Sequence, residues 1–131
     1  MTRNLLTLLI VGFLLSTGTQ PIRAHHSEAA AFDGSNIVKV TGTISKVDWA
    51  NPHVWFFVDV KDEGGKVTSW GFSTAPPGSL MRRGISKDAL KIGAVVNVEG
   101  ARARDGSNNA TGRKVTFADG RNVLTGPEDA R

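Results

Sequence analysis

From residue 37 onward, apolar residues recur at every second position. Val38, Val40, Gly42 and Ile44 alternate with Lys39, Thr41, Thr43 and Ser45, the period of a strand with one face on a core and the other in water. Val47 and Trp49 fall on the opposite phase, and a bulge near Ser45 and Lys46 returns them to the core side. Asn51-Pro52 interrupts the pattern, which resumes over residues 53–61. There Val54, Phe56, Val58 and Val60 face one way, and His53, Trp55, Phe57, Asp59 and Lys61 the other. Asp62-Glu63-Gly64-Gly65 supplies a hairpin turn into residues 66–73, where Trp70 and Phe72 share the core face.

The second half mixes periods. Pro76-Pro77 suits the first turn of a helix, which needs no backbone donors there. Leu80-Met81-Arg82-Arg83 forms its body, Gly84 its stop, and Ser86 caps a short turn through Leu90. Residues 94–104 make the next strand with Val96 and Val98 inward, residues 105–112 a polar loop, and Val115 and Phe117 a further strand. Asp119-Gly120 is a hairpin turn before Asn122-Val123-Leu124. The expected fold is mainly β: a small OB-type barrel of five to six strands with one short helix between strands 3 and 4. A small antiparallel sandwich has the same strand count, but the position of the helix favours the barrel.

The first residues follow another pattern. Thr2-Arg3-Asn4 leads into an apolar run over residues 5–15, then a short polar segment ends at Ala24. A basic start, an apolar run of about 7–15 residues and a small residue at the cut describe a secretory signal. The run falls short of the roughly 20 residues that cross a bilayer. Cleavage after Ala24 makes residues 1–24 a signal peptide and opens the mature chain with His25-His26-Ser27. A rival cut after Gly18 leaves almost no polar spacer. Residues 25–36 are then an N-terminal arm ending in the turn formers Phe32-Asp33-Gly34-Ser35-Asn36. Residues 37–124 are the barrel domain and residues 125–131 a flexible tail. The expected address is periplasmic or secreted, with no membrane span after processing.

About 107 residues then remain, enough for one domain with one modest core. The formal charge of +4 falls to about +2 without Arg3 and Arg23, too small an excess to argue for nucleic acid. The chain has no cysteine, so an oxidising compartment is allowed and stability must come from packing. Arg102, Arg104, Arg113 and Lys114 flank the polar loop; such groups are commonly solvated.

The mature chain holds three histidines, His25, His26 and His53. A terminal His binds a metal through both its amine and its ring, and one more imidazole completes a three-nitrogen site. All-nitrogen planar ligation favours Cu(II), so copper is the candidate cofactor. His53, on an outward strand position, or His26 is the third ligand, and Glu28 and Asp33 offer oxygens; soft ligation is not expected, since there is no cysteine and Met81 is the one thioether left after processing. The alternative is that the histidines form a polar start and a strand cap. If Phe56 fills the core, Trp55 and Phe57 lie outside on strand 2 as a ligand or partner face, unless the arm or tail packs over them. The candidate partners are an envelope protein or a small ligand. No Gly-x-Ser-x-Gly elbow, phosphate-cradling loop or placed carboxylate pair is present. A lone copper can do redox chemistry, but no substrate groove supports it, so a binding module rather than an enzyme is expected. The competing class is a structural or protein-interaction module of the envelope with no small ligand.

Ala24-His25-His26-Ser27, Thr41-Gly42-Thr43, Trp49-Ala50-Asn51-Pro52-His53-Val54-Trp55 and Leu80-Met81-Arg82-Arg83-Gly84 occur in that order, followed by Val98-Glu99-Gly100 and Asp105-Gly106-Ser107-Asn108. The set resembles a family of small exported bacterial proteins classed as a domain of unknown function. The resemblance covers nearly all of the chain from His25 to about Val123. It implies a bacterial, exported, single-domain protein and no particular activity.

Overall fold

The alternation around Val40 becomes the longest element of the fold. The computed structural model describes residues 29–125. A helical turn at 29–31 leads into β1 (Phe32–Asp48), followed by β2 (Trp55–Lys61) and β3 (Val67–Ser73). Helix α1 (Pro77–Arg82) and a 3-10 turn (Lys87–Ala89) precede β4 (Val95–Ala103), β5 (Asn109–Thr111), β6 (Lys114–Phe117) and β7 (Asn122–Thr125). Among the described residues no helix is long and apolar enough to cross a membrane.

The strands close on themselves. The second half of β1 pairs antiparallel with β2, and its first half with β4. β2 pairs antiparallel with β3, β3 runs parallel to β5, and β5 returns antiparallel to β4. The ring β1-β2-β3-β5-β4 is a five-stranded OB-type barrel, and the β6–β7 hairpin extends from β4 beside it. The parallel β3–β5 pair needs a crossover connection, and α1 lies in it.

Closing so small a ring brings backbones together where a side chain has no room. A Cβ on Gly42 would collide with the Asp59 carbonyl oxygen, and one on Gly100 with that of Thr111. Thr41-Gly42-Thr43 and Val98-Glu99-Gly100 are thus the places where β1 crosses β2 and β4 crosses β5. The expected bulge is present: the β1–β2 register slips between Ile44 and Lys46. It keeps Ile44 buried while Val47 and Trp49 pack against the same core.

Ile44, Val54, Phe56, Val58, Phe72, Leu80, Val96, Val98 and Val115 are fully buried, each worth roughly 1.5–3 kcal/mol of transfer from water. Phe56 and Phe72 stack at 5.3 Å across β2 and β3. Leu80 of α1 joins this core, and Gly84, at φ 77°, ends the helix as expected.

Three local expectations need correction. β1 begins at Phe32, ahead of Ile37: the turn formers 34–36 are an excursion within the β1–β4 pairing, with Asp33 still opposite Arg102. The Asp33 carboxylate accepts bonds from the Ser35 amide (3.0 Å) and hydroxyl (2.7 Å), which hold that excursion. β5 lies inside the expected polar loop, because Asn109-Ala110-Thr111 turns only the small Ala110 inward and is too short to display a period. Ser86 precedes the 3-10 turn but makes no side-chain cap bond.

Candidate functional site

His53 stands just ahead of β2, where the β2–β3 ladder continues past its ends. The Thr74 amide and hydroxyl both donate to the Val54 carbonyl, at 2.9 and 3.0 Å. His53 Nδ1 lies 2.7 Å from the Thr74 carbonyl oxygen. A carbonyl only accepts, so Nδ1 carries the proton and the lone pair of the neutral ring is on Nε2. Metal-ligating histidines are commonly set in this way, one ring nitrogen bonded to a carbonyl and the other turned to the metal.

The other proposed ligands are dispersed or outside view. His25, His26 and Glu28 lie outside the described residues. Asp33 sits at the start of β1, its pKa held below 3.8 first by the Ser35 hydroxyl and then by the Ser35 amide. Among the described residues, no three His, Asp or Glu side chains gather as a metal site.

Trp55 and Phe57 alternate with the buried Val54, Phe56 and Val58, so they face out; both are half-buried. Strand register places each in a row across the barrel surface. One row runs Lys46, Phe57, Gly71 and Asn109; the next runs Asp48, Trp55, Ser73 and Thr111. Lys46 Nζ is 5.2 Å from the Phe57 ring centroid and 2.7 Å from Asp48 Oδ2, so a cation covers one edge of the aromatic strip. Gly71 leaves its backbone bare: a Cβ there would come within 3.3 Å of Phe57 Cε1 and 2.5 Å of Asn109 Oδ1. Phe57 therefore rests over the glycine, and part of its burial comes from this packing. Beyond Phe57, the Ser45 hydroxyl bonds Asp59 at 3.1 Å.

The loop between β4 and β5 is held both from the core side, through Trp70, and at the edge of the aromatic strip, through Gly71 and Asn109. Arg102 donates to the carbonyls of Gly106 (2.9 Å) and Ser107 (3.3 Å) while its guanidinium lies 5.5 Å over Trp70. Trp70 in turn stacks on Phe72 at 6.3 Å. The Gly71 amide donates to the Asn108 carbonyl at 2.9 Å, and Asn109 Nδ2 reaches Ser107 Oγ at 3.2 Å. The aromatic strip is thus bounded by the β1–β2 loop on one side and the β4–β5 loop on the other. OB barrels bind ligands in this place. Lys46, Gly71, Asn109 and Thr111 were not among the predicted site residues. The bulge at Ser45 carried the information for Lys46; the other three depend on the unseen strand β5 and its neighbours.

The sequence pattern of a family of unknown function, DUF6152, matches residues 13–114. The chain belongs to this family. No curated protein matches it. Among solved structures, it is similar to the dimeric N-terminal domain of PriB from Thermoanaerobacter tencongensis. The two are 13% identical with a TM-score of 0.47, over 64% of this chain and 97% of that one. The mitochondrial single-stranded DNA-binding protein Rim1 of S. cerevisiae gives 13% and 0.47, over 66% of this chain and 95% of that one. At that identity the likeness is one of chain path and brings no ligand to this protein.

Proposed function

We propose that the chain is a small exported binding module of the cell envelope, with its ligand face on the outer side of β2 and β3. One observation carries this reading: Trp55 and Phe57 stand side by side on an outward face, over Gly71 and edged by Lys46, Asp48 and Asn109. Flat apolar surface with amide, carboxylate and ammonium groups at its margin suits a small polar ligand with one apolar face, such as a sugar ring. Export rests on the basic start, the short apolar run and Ala24.

Titration of the labelled protein with soluble oligosaccharides tests the face. Amide shifts should centre on Trp55, Phe57, Gly71 and Asn109, and Trp55→Ala should abolish them while the barrel still melts cooperatively. Shifts absent across the panel, or unchanged by Trp55→Ala, would leave the envelope structural or interaction module as the better reading.

A second reading has an observation of its own. The Nδ1 bond to Thr74 fixes the orientation of the His53 ring, so that Nε2 is the nitrogen that would ligate in a Cu(II) site made with the His25 amine and ring, or with His26.

A further inference from the structure

The outer surface where β1 begins carries a second concave feature. The excursion at residues 34–36 lifts β1 away from β4 and opens a cavity of about 360 Å³ beside it. Its floor is apolar: Ala29, half-buried Phe32, and Ala101, which is buried although it points outward from β4. Two guanidinium groups line it from separate elements. Arg104 follows β4 and is held by its amide bond to the Ala31 carbonyl (2.9 Å); Arg113 precedes β6 and is held by its amide bond to the Glu99 carbonyl (2.9 Å). Thr111 completes the lining; its hydroxyl oxygen accepts the Ala101 amide at 3.0 Å, which leaves its proton to donate.

Neither guanidinium makes a side-chain hydrogen bond or ion pair with the described residues. The nearby carboxylate, Asp33, bonds Ser35 through Oδ1 and feels the charge of Arg104, which helps hold its pKa down, without a direct ion pair between them. Arginine stays charged at any physiological pH, and its planar fork matches a carboxylate with two parallel bonds. Two such forks at one cavity, with a hydroxyl donor and an apolar floor, specify a ligand with an anionic head and a short apolar body. The volume is at the small end of ligand pockets, which run from roughly 300 to 1,000 Å³.

We infer that this cavity binds a small organic carboxylate, its carboxyl group between Arg104 and Arg113 and its apolar body against Phe32 and Ala101. The site shares Thr111 with the far end of the Trp55 row and otherwise lies apart from that face; it does not depend on that face having a ligand. An inorganic anion satisfies the forks but leaves the floor bare, so the cavity favours an organic acid over phosphate.

The test uses the exported protein, labelled with 15N and titrated at constant ionic strength with benzoate, hexanoate and inorganic phosphate. Benzoate or hexanoate should shift the amides of Phe32, Ala101, Arg104 and Thr111, with phosphate binding at least about tenfold more weakly. Arg104→Gln and Arg113→Gln change exposed side chains and should keep the melting profile, yet each should weaken the acid by about tenfold or more. Equal affinity for phosphate would overturn the organic-acid assignment. Acid binding unaffected by both Gln variants, shifts confined to Trp55 and Phe57, or no shifts at millimolar acid would each overturn the site.

Discussion

At the scale of single residues, the barrel depends on two places where only hydrogen fits. A methyl group on Gly100 would enter the Thr111 carbonyl oxygen, and backbone cannot step aside as a flexible side chain can. Gly100→Ala should therefore cost about 3 kcal/mol or more, the upper end for overpacking, read as a lower midpoint in urea melts. Phe56→Ala should cost about 3–5 kcal/mol, because it empties the centre of a small core. Phe57→Ala should cost only about 1 kcal/mol, since that ring covers Gly71 from outside. Equal losses for the two phenylalanines would mean that the faces of β2 are reversed. Their assignment was legible from alternation alone, since Val54, Phe56 and Val58 give a clean period of two. The closeness at Gly100 was not, because it arises between β4 and a strand with no pattern.

At the scale of elements, legibility followed side-chain chemistry. β1, β2, β3 and β4 each carry large apolar residues at the right spacing, α1 is marked by Pro76-Pro77 before it and Gly84 after it, and each was placed within a few residues. β5 has three residues and one inward methyl, Ala110; its position comes from partners, since its amides and carbonyls fill the gap between β3 and β4. The loop before it is fixed by Arg102, whose two bonds to carbonyls and contact with Trp70 act together. Arg102→Ala should cost about 1–2 kcal/mol and raise amide exchange over residues 105–108 before the rest of the barrel. Turn carboxylates mark the same loops. Asp105 is held below the ordinary 3.8 by the Ser107 hydroxyl and amide, and Asp119 by the amide and guanidinium of Arg121. A pKa lower in the folded state gives stability that is present above the unfolded value and is lost as pH falls through the folded one. Carboxyl carbon titrations of Asp33, Asp105 and Asp119 should accordingly show midpoints below 3.8, and their turns should loosen only in acid beneath that.

At the scale of the whole molecule, the proposed copper site turns on His53. Its ring was visible in the sequence as one of three histidines, but the carbonyl that orients it belongs to Thr74, 21 positions away, and no local pattern foretells that bond. If export removes residues 1–24, the chain gains an amine at His25, and a chelate of amine and ring becomes available to Cu(II) for the first time. The unprocessed protein lacks it, because there the same nitrogen is an amide that cannot take up the role. Amines of this kind have a pKa of about 7.7–8.0 and must lose a proton to bind, so affinity should fall as the solution is made acid. Three preparations separate the possibilities: the protein beginning at His25, the same chain with one residue added before it, and His53→Ala. The first should bind one Cu(II) by mass and titration, and the second should bind far more weakly. The His53→Ala variant distinguishes His53 from His26 as the next ligand. Equal copper affinity for the native and extended forms would remove the terminal site, and N-terminal sequencing of exported protein that began at Thr19 would remove its premise.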